Sequence, residues 1–365
     1  MEFAFTEEQE ELRAVVRAFL AQRARSEQVR AGWRPATWEQ LIEQMELTAI
    51  ALPEAVGGAG ASFVEVGIAL EETGRALLPA PYLPTVVGAS ALAAAPELQA
   101  RVVAGEAIGL ALDVRDPLQP VAHAVARAAG DDGDSPPLLD GVAPQVLDGA
   151  LARILVVAAR DAAGEPALYA VEADARGVRV VPRPTVDETR GQAAVHFASA
   201  PAVRLTAPGA GAAALARLVE TLWVAQAVEA VGLGDRALSE TVAYLKERVQ
   251  FGRVLGSFQA LRHRCADLAA ELEGARATAH YAAWAVDGAP EELAVTAPLA
   301  KAVCAQAALR AAAEAIQLHG GIGFTWEHDA HLWFKRAKAT EQLYGTPRAL
   351  RRLAAERAGV LPAAA

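Results

Sequence analysis

The sequence predicts a mainly α protein with a small central β domain (α+β). An N-terminal helical domain is expected over residues 1–108, a barrel- or sandwich-like β domain over 109–205 and a C-terminal four-helix bundle over 206–365. Three observations lead there. Apolar residues recur at helical spacing in the first and last stretches of the chain. Short runs rich in β-branched residues, separated by turn formers, occupy the middle. The chain has 365 residues and is 53% hydrophobic, which suffices for two or three cores.

Taken in order, Thr6-x-x-Gln9 has capping-box form and precedes Leu12, Val15, Val16, Phe19 and Leu20 at helical spacing. Thr37-x-x-Gln40 has the same form before Leu41, Ile42 and Met45. Residues 52–62 (LPEAVGGAGAS) predict a loop, with Ser62 as the cap of the helix that carries Val66 to Leu77. In the middle, 154–158, 167–171 and 178–181 predict strands, with turns at Gly164-Glu165-Pro166 and Ala175-Arg176-Gly177. Residues 130–137 (GDDGDSPP) predict an exposed loop. Three long helices follow. The first covers 212–250 and stops at Phe251-Gly252, and the second runs from Ser257 to Asp287-Gly288. The third covers 291–318 and stops at Gly320-Gly321.

The net charge of −10 supplies no broad basic face, which argues against a nucleic-acid partner. A phosphorylated cofactor needs only a few local donors and stays open. The first residues lack a basic, apolar leader, and the alanine-rich runs are too short to span a bilayer, so no membrane and a cytoplasmic location are expected. Cys265 and Cys304 lie far apart without metal-like spacing and are expected to be core thiols. His263, His319, His328 and His331 form no ligand set, and no metal is expected. Trp326, Trp333 and Phe334 are expected to pack the bundle or an oligomer interface.

The order helix, β domain, bundle, together with three motifs, resembles the acyl-CoA dehydrogenase family over essentially the whole chain. Leu52-Pro53-Glu54 with Gly57-Gly58-Ala59-Gly60 is similar to the family's N-terminal loop. Arg248-Val249-Gln250-Phe251-Gly252, with Phe258-Gln259 beyond, resembles its helix-end element. Residues 317–325 (QLHGGIGFT) resemble its glycine turn. The resemblance implies that these elements grip the pyrophosphate, ribose and adenine of FAD across a subunit interface. Arg248 would then face the pyrophosphate. Phe251 would offer a flat apolar surface, and Gln250, Gln259 and Gln317 amide contacts. Gly320 and Gly321 would let the backbone approach, with Thr346 nearby.

The implied reaction removes the α-proton of an acyl-CoA thioester while a β-hydride passes to flavin, which requires a carboxylate base. The run 342–346 (QLYGT) places Tyr344 at the usual base position, and the alternative position falls at Leu222 beside Trp223. Glu220 lies two residues from Leu222, about 200° around a helix. Glu341 is the weak remaining candidate, and both glutamates read as surface carboxylates. The family's flavin-covering segments, with their ring-stacking tryptophan, are not recognisable in the middle domain.

The chain therefore resembles the degenerate partner subunit of bacterial α₂β₂ acyl-CoA dehydrogenases, associated with steroid side-chain or fatty-acid catabolism. It would share FAD with a second dehydrogenase chain. A self-sufficient homotetrameric dehydrogenase with an atypical base, a flavin-dependent monooxygenase and a flavin-free scaffold remain alternatives.

Overall fold

The computed structural model describes residues 5–125 and 136–362. The predicted loop at 130–137 therefore lies, up to residue 135, outside the described residues. The first helices are α1 (Glu7–Arg23), α2 (Ser26–Arg30), α3 (Pro35–Glu43), α4 (Phe63–Arg75), α5 (Tyr82–Ser90) and α6 (Pro96–Val103). Eight strands follow: β1 (Ile108–Ala111), β2 (Ala122–Val125), β3 (Leu138–Leu147), β4 (Ile154–Arg160), β5 (Pro166–Glu172), β6 (Val178–Arg183), β7 (Gln192–Pro201) and β8 (Val203–Arg204). Then come α7 (Gly211–Glu247), β9 (Val249–Gln250), β10 (Arg253–Val254), α8 (Gln259–Gly288), α9 (Leu293–His319), α10 (Ala330–Gln342) and α11 (Pro347–Arg357). Among the described residues no helix is long and apolar enough to cross a membrane.

The chain divides into two compact units, one gathering residues 1–32, 63–78 and 223–365, the other 33–62 and 79–222. In the second unit β1 to β8 form one curled sheet in the order β6-β7-β3-β2-β4-β5-β8, with β1 parallel to β4. The three strands expected from the sequence are β4, β5 and β6. β4 and β5 pair over seven residues, and both are almost wholly buried, which explains their near-continuous apolar sequences. Leu139, Val146, Leu155, Tyr169, Val195 and Phe197 form the core of this sheet. Among the helices of this unit, Thr85 Oγ1 accepts from Ile108 N at 3.1 Å and Trp38 Nε1 donates to Gly105 O at 2.8 Å.

In the first unit, Thr6 caps α1 as the sequence indicates: Oγ1 accepts from Gln9 N at 3.2 Å and Gln9 Oε1 from Thr6 N at 3.0 Å. The matching expectation for Thr37 fails. Pro35 occupies the first turn, where its missing N–H costs nothing, so α3 begins two residues before Thr37. The helix expected to follow Ser62 begins at Phe63, whose N–H donates to Asp287 Oδ2 at 2.7 Å, and ends at Arg75. α4 and α7 cross closely, since a Cβ on Gly232 would fall against the Glu71 carbonyl. The buried Glu71 carboxylate accepts from Arg276 and lies 2.9 Å from His280 Nε2. Burial opposes this charge, but His280 and the Arg276 and Arg13 guanidiniums hold its pKa below the ordinary carboxylate value.

Two further expectations need correction. Glu220 is buried, not a surface carboxylate, because α7 is enclosed on every side from Leu218 to Gly234. Cys304 is a core thiol donating to Ala275 O at 3.2 Å, but Cys265 is only half-buried, sitting on the less covered start of α8. Among the described residues no group of three or more His, Cys, Asp or Glu is placed to hold a metal.

Candidate functional site

The end of α7 turns through a two-residue hairpin. β9 and β10 pair Gln250 with Arg253 and Val249 with Val254, leaving Phe251 and Gly252 as the tip. Both tip residues have positive φ, 55° and 79°, as a type I′ turn requires. Gly252 accepts this freely, whereas Phe251 is a bulky residue in left-handed conformation. Phe251 is 86% exposed, and its ring meets Phe258 edge-to-face at 6.2 Å. Arg253 stacks its guanidinium over Phe258 at 3.9 Å, stiffening the hairpin base. Leu255 N donates to Arg248 O at 2.8 Å, so the chain closes back onto the helix end.

α9 ends beside this hairpin. His319 is buried there, with Nδ1 2.7 Å from Ala315 O. Its ring lies between Tyr244 and His328, at centroid distances of 4.4 and 4.2 Å, and Tyr244 Oη donates to His319 O at 3.3 Å. Burial lowers the His319 pKa, and the neighbouring His328 adds to this against the bond to Ala315, so the imidazole is neutral. Nδ1 then carries the proton toward Ala315 O. This stack fastens the end of α7 to the end of α9. Gly320 follows at φ 66°, ψ −140°, a region open essentially to glycine alone. A Cβ at either Gly320 or Gly321 would meet nothing within 4 Å, so both backbones face open space.

Between these two helix ends lies a cavity of about 330 Å³. Arg248, Gln250, Gln317, Gly320 and Gly321, all expected from the sequence, line it. Arg264 and His319 line it too, and the sequence reading missed both in this role. Arg264 stands five residues after Gln259 on α8, and nothing in the sequence says which face of that helix turns toward the glycine loop. Phe251 and Gln259 stand outside the lining, exposed at the hairpin tip and at the first residue of α8. Thr346 lies elsewhere, its Oγ1 accepting from Ala349 N at 3.4 Å as the cap of α11. Two guanidiniums, two side-chain amides and unhindered backbone make a donor set suited to an anionic ligand with amide-reading edges.

The position expected for a base is different in kind. Tyr344 is buried with φ 60°. Trp223 Nε1 donates to its carbonyl at 2.7 Å. On either side of it, Lys301 Nζ donates to Leu343 O and, at 2.9 Å, to Gly345 O. Trp223 and Lys301 are themselves buried. Glu341 is half-buried three residues away. Burial alone would raise its pKa, but hydrogen bonds from Lys338 and Gln342 bring it below the ordinary value, so it is a stable carboxylate and a weak base. Leu222 is buried and apolar.

Residues 6–104 match the family model for the acyl-CoA dehydrogenase N-terminal domain, and residues 209–359 match that for the C-terminal domain. The sequence is 35% identical over 360 residues to acyl-CoA dehydrogenase IpdE2 of Mycolicibacterium smegmatis, covering 96% of this chain and 99% of that protein. Among solved structures it is similar to a chain of a Tcur3481–Tcur3483 steroid ACAD variant, with a TM-score of 0.86, 31% identity and coverage of 97% and 98%. It is likewise similar to a chain of the ChsE4–ChsE5 complex from Mycobacterium tuberculosis, with a TM-score of 0.87, 28% identity and full coverage of both chains.

Proposed function

The chain belongs to the acyl-CoA dehydrogenase family, and from that premise we propose that it is the non-catalytic partner in a heteromeric dehydrogenase, completing the FAD site of a second, catalytic chain. One observation carries this reading. The base position holds Tyr344, sealed under Trp223, while the nucleotide-gripping helix ends remain open at the surface.

The residues present fit one half of the cofactor. Arg248 and Arg264 would hold the pyrophosphate, Gln250 and Gln317 would supply amide contacts, and the Gly320-Gly321 backbone would lie along the nucleotide. Phe251 would cover the adenosine from the hairpin tip, with Gln259 as a more distant contributor. The other half is not provided for, since no tryptophan occurs between residues 39 and 222 to stack on a flavin ring. Bound FAD supplies the hydride acceptor for α,β-dehydrogenation of an acyl-CoA thioester. A general base is worth about 10² to 10⁴ in rate, and here it must come from the partner chain. In this chain the residues around Tyr344 hold backbone, and Glu341, three residues before it, is engaged by Lys338 and Gln342.

Similarity to chains of the Tcur3481–Tcur3483 steroid ACAD and of the ChsE4–ChsE5 complex supports an assembly of two different chains and a steroid-derived acyl-CoA. The test is purification alone and together with candidate partner dehydrogenase chains, recording the flavin spectrum and the FAD-to-protein ratio each time. The expected result is a colourless chain alone and a yellow, acyl-CoA-bleachable complex with the right partner. A chain that is yellow alone and bleached by acyl-CoA would instead be a self-sufficient dehydrogenase. Absence of flavin in every combination would leave a scaffold.

A further inference from the structure

A second cavity, of about 240 Å³, lies within the unit formed by residues 1–32, 63–78 and 223–365 and shares no residue with the nucleotide cavity. Its inner wall is apolar: Leu20, Val29, Leu77, Leu332 and Trp333 line it and are otherwise buried. Four arginines, Arg17, Arg25, Arg75 and Arg236, line it against two carboxylates, Glu72 and Asp329. In the lining itself the cations therefore outnumber the carboxylates.

The carboxylates are already engaged. Glu72 accepts from Arg17 Nε at 2.9 Å and Nη2 at 2.6 Å, and Asp329 is held by Arg30 at 2.7 Å. Arg75 pairs with Asp235, which Arg276 also approaches at 3.3 Å. Arg236 pairs with Glu240 on the exposed side of its helix at 2.9 Å. Arg25 makes no salt bridge among the described residues. Arg75 registers the surplus: burial and the charges of Arg17, Arg236 and Arg276 hold its pKa below the ordinary arginine value, despite Glu72. An added anion would relieve that repulsion, and guanidinium forks match a planar carboxylate geometrically. An inorganic anion alone would leave the apolar wall uncovered, and a neutral alkyl group would leave the arginines unanswered.

We propose that this cavity binds a small amphipathic carboxylate, its head among Arg25, Arg75 and Arg236 and its apolar body against Leu20, Leu77 and Trp333. Calorimetric titration of the full chain, in complex with its partner where one is found, tests this with sodium hexanoate, hexan-1-ol and sodium phosphate as probes. Hexanoate is expected to saturate with a Kd on the order of 1 mM, and hexanol and phosphate to bind at least about tenfold more weakly. Arg25→Gln should weaken hexanoate about tenfold by removing one charge-assisted contact. Ala76→Leu fills the cavity without altering charge and should abolish saturation while the circular-dichroism melt stays cooperative. The proposal is overturned if hexanoate does not saturate the unmodified chain, if hexanol binds equally well, or if hexanoate binding survives Ala76→Leu. Phosphate binding as tightly as hexanoate would overturn it too, by reducing the cavity to a surface anion contact.

Discussion

Replacing Lys301 with methionine removes an amine that its unit keeps almost entirely out of water, at 1% exposure. Its Nζ donates to Leu343 O and Gly345 O on either side of Tyr344. Methionine has similar length and no donor. Leaving a buried acceptor unmet costs about 1–3 kcal/mol, so losing both contacts should destabilise by about 2–6 kcal/mol. An opposing effect depends on pH. Burial pushes the Lys301 pKa well below the ordinary lysine value. Between the folded value and the unfolded value of about 10.4, the unfolded chain binds more protons than the folded one. Stability of the unmodified chain therefore rises with pH across that window, by at most about 1.4 kcal/mol per unit, and falls as pH drops through it. The variant lacks this slope, so its deficit should be smallest near neutrality and grow toward alkaline pH. Urea unfolding of both chains at pH values between about 7 and 9 measures the difference directly. A deficit that stays constant over that range would refute the assignment of a pKa depressed by burial.

Phe251→Asn relieves a bulky side chain in left-handed conformation and should raise stability by about 1 kcal/mol, read as a higher Tm, while weakening flavin retention by the complex. An unchanged melt would show that the hairpin tip carries no strain. Gly320→Ala forces a Cβ onto φ 66°, ψ −140° and should cost about 1–3 kcal/mol in urea denaturation. Trp223→Phe keeps the apolar ring and loses the hydrogen bond to Tyr344 O, for an expected loss of about 1–3 kcal/mol by the same assay. Arg248→Gln alters an exposed side chain and should leave the melt within about 0.5 kcal/mol of the original, yet lower the FAD content of the assembled complex.

Much of this architecture was legible because the signals are local. The Thr6 cap, the helix end at Gly320-Gly321 and strands β4 to β6 each depend on residues close in sequence, whereas the helix expected to run to Gln250 stops at Glu247 and gives way to the β9–β10 hairpin. The same locality explains the failures. Thr37 has the composition of a cap, but Pro35 two residues earlier fixes where α3 starts. Glu220 looks like a surface charge until α7 proves to be enclosed around its whole circumference. In the candidate site, short motifs identified Arg248, Gln250, Gln317 and the two glycines. Arg264 and the Tyr244–His319–His328 stack depend on how three helices meet, which no single stretch encodes.

Asp287 satisfying the first N–H of α4 joins residues more than two hundred positions apart, and Glu71 reaches Arg276 and His280 over a similar separation. During synthesis, α1 and α4 leave the ribosome long before their partners exist. The intervening residues 33–62 and 79–222 can close among themselves first, so the sheet unit is positioned to mature as an early folding body. The apolar faces of the opening helices must meanwhile wait for the last third of the chain. A stalled or truncated product ending near residue 222 would thus carry an orphaned N-terminal helix and be a natural client for chaperones.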